Sequence, residues 1–360
     1  MTKTYDERID KLLQSAERHS RCLARPRDNA LRRALIYRSK HANEAPIYSP
    51  HDGLYIRKDY WDSLCRSDQV LHMVKALSHI HPQWIFDSYT AAVIRGWNVP
   101  YALLDDIHIV MPYHYRTQTV SARASRDITC DTVDGLRVTT TAQTLHECLR
   151  TADFRDALPI ADSALRQLHI PTEALIRELQ ADRKIARSRS SRRTIDILKL
   201  ANPLSESGGE SFARATMIML GFAIPELQVE YPDPMNPNST FRVDFRWVLA
   251  DGTVILGEFD GKQKYVDIHM TKGKEVIETL SAERLRESRL SVSGARIVRF
   301  SHGDVCNLAY FKQLLDAYGV PRDPTPKFTD SLAIEANTPE AIDEMPPLEC
   351  YEDLIALHRC

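Results

Sequence analysis

Residues 241–247 alternate strictly: Phe241, Val243, Phe245 and Trp247 are apolar, and Arg242, Asp244 and Arg246 between them are charged. A period of two predicts a strand with one face toward a core and the charges on the other. A second strand-like run leads into GEFDGKQKY, with Asp251-Gly252 as the turn between the two. Glu258, Asp260 and Lys262 share a parity in that run, so neighbouring strands bring Asp244, Glu258 and Asp260 together with lysines beside them. Upstream, Ser207 and Glu210 have capping-box spacing, and Phe212, Thr216, Met219 and Leu220 then fall on one helix face. ELQVEY reads as a strand. After the two alternating runs come a basic helical stretch, a stop at Gly294 and an apolar strand, ARIVRF. The order is helix, three strands, helix, strand.

The N-terminal half is patterned differently. Ile9, Leu12 and Leu13 mark a surface helix near the start, and Leu31, Ala34, Leu35 and Tyr37 mark a second over residues 29–41. Pro50, Asp52 and Gly53 then form a turn between IYS and LYIR. Two helices and a hairpin are elements of a winged helix and equally of any small α+β unit. A helix over residues 68–80, an apolar stretch over 85–97, the strand IHIVM and a hairpin turning at Asp134-Gly135 follow. Helices are predicted over residues 141–150, 155–168 and 171–181. The histidines here, His72, His79, His81 and His146, read as packing or surface residues.

Composition narrows the class. The chain has 360 residues, 43% hydrophobic and 27% charged, which suits a globular protein of two or three domains. No run of eighteen apolar residues exists, and the charged N-terminus lacks a signal peptide's apolar core. Seven scattered cysteines without a Cys-x-x-Cys pair argue against a zinc site or disulfide framework and point to the cytoplasm. The net charge of −2 is unevenly spread: residues 326–360 carry −6, and residues 183–193 hold six Lys or Arg. Arg183, Lys184, Arg187, Arg189, Arg192 and Arg193 read either as a solvated linker or as contacts to a DNA backbone.

Carboxylates gathered near lysine suit a hard cation beside a phosphodiester. SESGGES, RVDFRW, GEFDGKQKY, ERLRES and GARIVRF together resemble the Vsr-like endonuclease domain of the PD-(D/E)XK nuclease superfamily. HDGLYIR, HPQWIFDSYTAAVIRGW, DGLRVTTTAQTLHECLR and ALPIADSALR resemble AbiEi-type antitoxin or transcriptional-regulator proteins, which in actinobacteria are often joined to such a domain. The resemblance implies a multidomain α+β and α/β protein. Its parts are a winged-helix-like region (1–67), an AbiEi-like region (68–181), a basic linker or helix (182–202), a restriction-endonuclease-like domain with a central mixed sheet flanked by helices (203–320) and a poorly ordered acidic tail (321–360).

It also implies Mg²⁺ or Mn²⁺ held by Asp244 and Glu258, and DNA as substrate. The family's lysine two residues after the second carboxylate is Asp260 here. Lys262 or Lys264 then takes the lysine's role, or Asp260-Gly261-Lys262 supplies the motif in another register, or the domain is a DNA-binding scaffold. In that last case the resemblance implies a regulator acting on operator DNA, or the antitoxin of a type IV, AbiE-like pair with a cognate toxin. Glu210 is a further metal candidate. Tyr265, Arg286, Glu287, His269 and His302 are supporting candidates around the site.

Overall fold

The computed structural model describes residues 3–41, 47–126, 128–261, 289–290, 292, 294–323, 325 and 328. Lys262, Lys264, Tyr265, His269, Arg286, Glu287, most of the predicted basic helix and nearly all of the acidic tail lie outside them. The chain is a mixed α+β protein, and no helix among the described residues is long and apolar enough to cross a membrane. It separates into two compact units, with the boundary at Cys148/Leu149.

The first unit opens with α1 (Lys3–Arg18), β1 (Leu23–Ala24), α2 (Asn29–His41), β2 (Ile47–Tyr48) and β3 (Leu54–Arg57). The short strands form an antiparallel sheet in the order β1-β3-β2, and Gly53 makes the expected turn with φ +78°. Ile9 and Leu13 of α1 and Leu31, Ala34 and Leu35 of α2 share one core with Ile47 and Tyr55. Next come α3 (Lys58–Ser63), α4 (Arg66–Ile80), β4 (Ile85–Phe86), α5 (Ser88–Ile94), β5 (Ile107–Met111), β6 (Tyr115–Arg116), β7 (Val120–Ala124), β8 (Cys130–Val133), β9 (Leu136–Thr139) and α6 (Thr141–Thr151). The six strands order as β6-β7-β5-β4-β9-β8. Asp134 and Gly135 both have positive φ, the two-residue hairpin geometry predicted for them. His72 is buried, with Nδ1 on the Asp68 carbonyl and Nε2 bonded to the Tyr60 hydroxyl, so it serves packing.

The second unit begins with α7 (Phe154–Leu168), α8 (Thr172–Ala181), α9 (Arg183–Ala186) and α10 (Ser191–Leu200). The basic segment, expected as a linker or helix, is helical and lies within the second unit. Asp182 caps α9 through the amides of Lys184 and Ile185, and Ile185, Thr194, Ile197 and Leu198 are buried. The reason is apolar spacing, which the density of arginine and serine hides. α11 (Gly208–Met219) follows and is tied to α7 by a buried ion pair, Arg214 on both oxygens of Asp162 at 2.7 Å.

A four-stranded sheet, β10 (Glu226–Asp233), β11 (Asn236–Val248), β12 (Val254–Asp260) and β13 (Arg296–Ser301), stands in the order β10-β11-β12-β13. The first three strands are antiparallel, and β13 runs parallel to β12. α12 (His302–Cys306) and α13 (Leu308–Tyr318) close the unit. The ordered structure continues past residue 320: Ala223 and Asp323 exchange backbone bonds with Pro321 and Gly221, and Arg322 lies over the Phe222 ring.

One expectation about the sheet fails. Phe245 and Trp247 pack with Leu227, Ile255, Val298 and Phe300, but Val243 packs on the opposite face with Leu256 and Leu290, beside Val229 and Phe241. The four apolar residues of β11 thus divide between two cores. Arg242 and Arg246 likewise part, toward Glu206 and Glu226. The exchange happens at one level in both strands. Leu227 pairs Phe245 and Val229 pairs Val243, and between them Gln228 has φ +52°, a left-handed backbone that breaks the pleat.

Candidate functional site

The residues at that break are those with candidate chemistry. The β11/β12 ladder runs from Val248↔Val254 to Phe245↔Gly257. At the next position the Asp244 carboxylate, not the strand backbone, accepts the Phe259 amide at 2.9 Å through Oδ2. A side chain thus ends the ladder, and the two strands part beyond it.

Gln228 lies across from Asp244 on β10, and its Nε2 donates to Asp244 Oδ1 at 3.4 Å and to Glu210 Oε2 at 2.9 Å. Glu210 stands in the first turn of α11. Its Oε1 takes the Ser207 hydroxyl at 2.8 Å and its Oε2 the Glu206 amide at 3.0 Å, while Ser207 Oγ accepts the Glu210 amide. The expected cap is present, with the Glu206 amide rather than that of Ser207 donating the return bond. Burial pushes the Glu210 carboxyl above its ordinary range, the nearby Asp244 charge adds to this, and the hydrogen bonds oppose it.

Gly209 lets α11 approach closely, since a Cβ there would meet Phe259 Cε1 at 2.3 Å. Gln228 Oε1 is buried and has no hydrogen-bond partner among the described residues.

Glu258 is buried at 7% exposure on the face that carries Leu256, in register with Arg299 on β13. Arg299 donates to Glu258 Oε2 at 2.8 Å. Asp260, two residues on, pairs in register with Ser301 and is half-buried. The structure therefore brings Asp244 into one network with Glu210 and places Glu258 in an ion pair. Among the described residues, no three acidic, histidine or cysteine side chains stand close enough to hold a metal ion together. His302 faces Phe212, ring centroids 5.2 Å apart, and Cys306, with Nε2 3.4 Å from Sγ.

Two residues here escaped the sequence reading. Gln228 looked like one more polar position in an alternating strand, with no signal of its left-handed backbone. Arg299 carried a legible sign, a charge between Val298 and Phe300 in the middle of an apolar strand.

The basic segment divides as well. Arg183, Lys184, Arg187, Arg189 and Arg192 are exposed. Arg193, expected among them, turns inward: it donates to the Ala152 carbonyl and lies over the Phe328 ring.

Compared with known proteins, the chain matches no family model and no solved structure. It is similar to two Mycobacterium tuberculosis proteins, each described as uncharacterized, one from strain CDC 1551/Oshkosh and one from strain H37Rv. Identity is 34% over 133 residues, 36% of this chain. The chain spans 44% of the length of these relatives.

Proposed function

We propose that the second unit is a Mg²⁺- or Mn²⁺-dependent endonuclease-like domain that hydrolyses phosphodiester bonds in DNA, and that the first unit is a winged-helix, AbiEi-like regulatory region. The observation that carries the reading is Asp244 at the fork of β11 and β12, joined through Gln228 to the buried Glu210. The sheet around it has the mixed order that the resemblance to Vsr-like nucleases implies.

The donor set fits a hard cation. Two carboxylates and a carboxamide offer oxygen only, and one of those oxygens is buried with an unmet acceptor. Asp244 and Glu210 would hold the ion. When bound, the ion polarises the scissile phosphate and lowers the pKa of water. The protein's own part is orientation. The Phe259 amide fixes Asp244, the α11 cap fixes Glu210, and Arg299 supplies a positive charge opposite Glu258 that suits a phosphate.

The exposed arginines of residues 183–192 add salt-dependent contact to the DNA backbone. In the first unit, the β1-β3-β2 order and the exposed Arg33, Tyr37 and Lys40 along α2 support the winged-helix reading.

One observation favours a second reading, a catalytically silent DNA-binding regulator or antitoxin. Arg299 already compensates Glu258, and Asp260 stands where the family has lysine. Full-length protein with plasmid DNA and Mg²⁺ or Mn²⁺, beside an Asp244→Ala/Glu258→Ala double variant, decides between them. Cleavage by the native chain alone supports the nuclease. Equal absence of cleavage, with operator-like DNA still retarded in a gel, supports the regulator. In either case neutralising Arg189 and Arg192 lowers the slope of log affinity against log salt by roughly 0.9 for each phosphate that the protein no longer neutralises.

A further inference from the structure

Gln228 combines three features that rarely meet in one residue. Its backbone is left-handed, a costly conformation for a non-glycine residue that tends to persist at functional sites. Its Nε2 bridges Glu210 and Asp244, carboxylates with no fixed cation between them among the described residues. Its Oε1 is buried and unmet, which leaves the desolvation of that oxygen uncompensated. Strand packing accounts for the left-handed backbone, which turns the pleat between Leu227 and Val229, but not for the bridge or for the unmet oxygen. Leu227 and Val229 already serve the two cores, and an asparagine or glycine would make the same turn with less strain.

We infer that Gln228 belongs to the cation site: its amide group holds Glu210 and Asp244 together in the empty state, and its carboxamide oxygen is the third donor when a divalent cation enters. The inference rests on the cation-dependent reading above and assigns that site a residue from β10. A half-turn about the Cγ–Cδ bond exchanges NH₂ for oxygen at the same place. Glu210, Asp244 and the carboxamide oxygen would then hold the ion, and the unmet oxygen would gain a partner. Carboxylate and carboxamide oxygens are the ligands that Mg²⁺ and Mn²⁺ prefer. The choice of glutamine over glutamate also follows, because a third carboxylate beside Glu210 and Asp244 would repel both whenever the ion is absent.

The test is calorimetric titration of Mn²⁺ into the full-length protein without DNA. The native chain is expected to take up the ion. Gln228→Glu, the same size with two acceptors, is expected to bind roughly tenfold tighter, and Gln228→Met, the same length with neither donor nor oxygen, roughly tenfold weaker. Asp244→Asn is expected to abolish uptake. Tighter binding by Gln228→Glu cannot arise from misfolding, so the proposal does not depend on the loss variant alone.

If both Gln228 variants bind as the native chain does while Asp244→Asn does not, Gln228 lies outside the site and the nuclease reading stands. If no chain takes up Mn²⁺ yet plasmid is cleaved in an Asp244-dependent way, the role of Gln228 fails alone. If there is neither uptake nor cleavage, both fail.

Discussion

Two buried carboxylates border α11 and are held in opposite ways. Both oxygens of Asp162 accept from one terminal nitrogen of Arg214, one turn along the helix from Glu210, and Oδ1 also accepts the Asn202 amide at 2.7 Å. Arg214 directs its remaining terminal nitrogen to the Leu200 carbonyl. Glu210 has only neutral donors: a hydroxyl, a backbone amide and the Gln228 carboxamide. A carboxylate matched by a guanidinium is a closed staple between helices. A carboxylate buried without a matched charge is costly, and such groups gather where a ligand supplies the charge. On the function proposed above, the difference separates a structural carboxylate on α7 from a site carboxylate on α11.

The sharpest break of the comparison removes one side of the staple. Asp162→Ala leaves Arg214 buried and uncompensated, and should cost about 3–5 kcal/mol in denaturant unfolding. The double variant Asp162→Leu/Arg214→Leu should recover most of that loss, because well-packed apolar pairs can replace buried ion pairs. A double variant as unstable as the single one would mean that the charges specify the fold.

A middle-sized effect comes from Gly209→Ala. Its Cβ would collide with Phe259, so the start of α11 and Glu210 move while Asp162 does not. The expected loss is about 1–3 kcal/mol in thermal or chemical unfolding, together with weaker Mn²⁺ uptake.

The smallest effect is in pH. The folded chain binds the Glu210 proton more tightly than the unfolded chain does, because burial raises that carboxyl. Stability from this group is therefore full below the ordinary glutamate range and falls as pH rises through the raised one. Glu210→Gln should remove that fall and flatten the stability profile there. An unchanged profile would mean that solvent or a bound ion already relieves the charge.

Much of the local structure could be read from residue order. The Ser207–Glu210 cap, the Asp134-Gly135 hairpin and the helix over residues 29–41 depend on neighbours within a few positions, and they appear in the structure. The faces of β11 did not. Alternation assigns Val243 and Phe245 to one side, and nothing near them in sequence reveals that Gln228, on another strand, turns the pleat over. The same limit applied to the candidate site. Its carboxylates Asp244 and Glu210 could be named, but the side chain that joins them could not. Nor could the ion pair that holds Glu258, which depends on a parallel register between β12 and a strand 36 residues away in sequence. The buried helices within residues 182–202 were hidden in another way, because four spaced apolar or β-branched residues are outvoted by six basic ones in any composition window.

The exchange of faces at Gln228 and Asp244 also acts as an alignment device. Sliding β10 by one residue along β11 would swap inside for outside above the crossover and below it, exposing apolar groups and burying charges in two separate cores at once. Each core alone penalises that slip, so their agreement fixes where Gln228 stands against Asp244 more firmly than one packed face would.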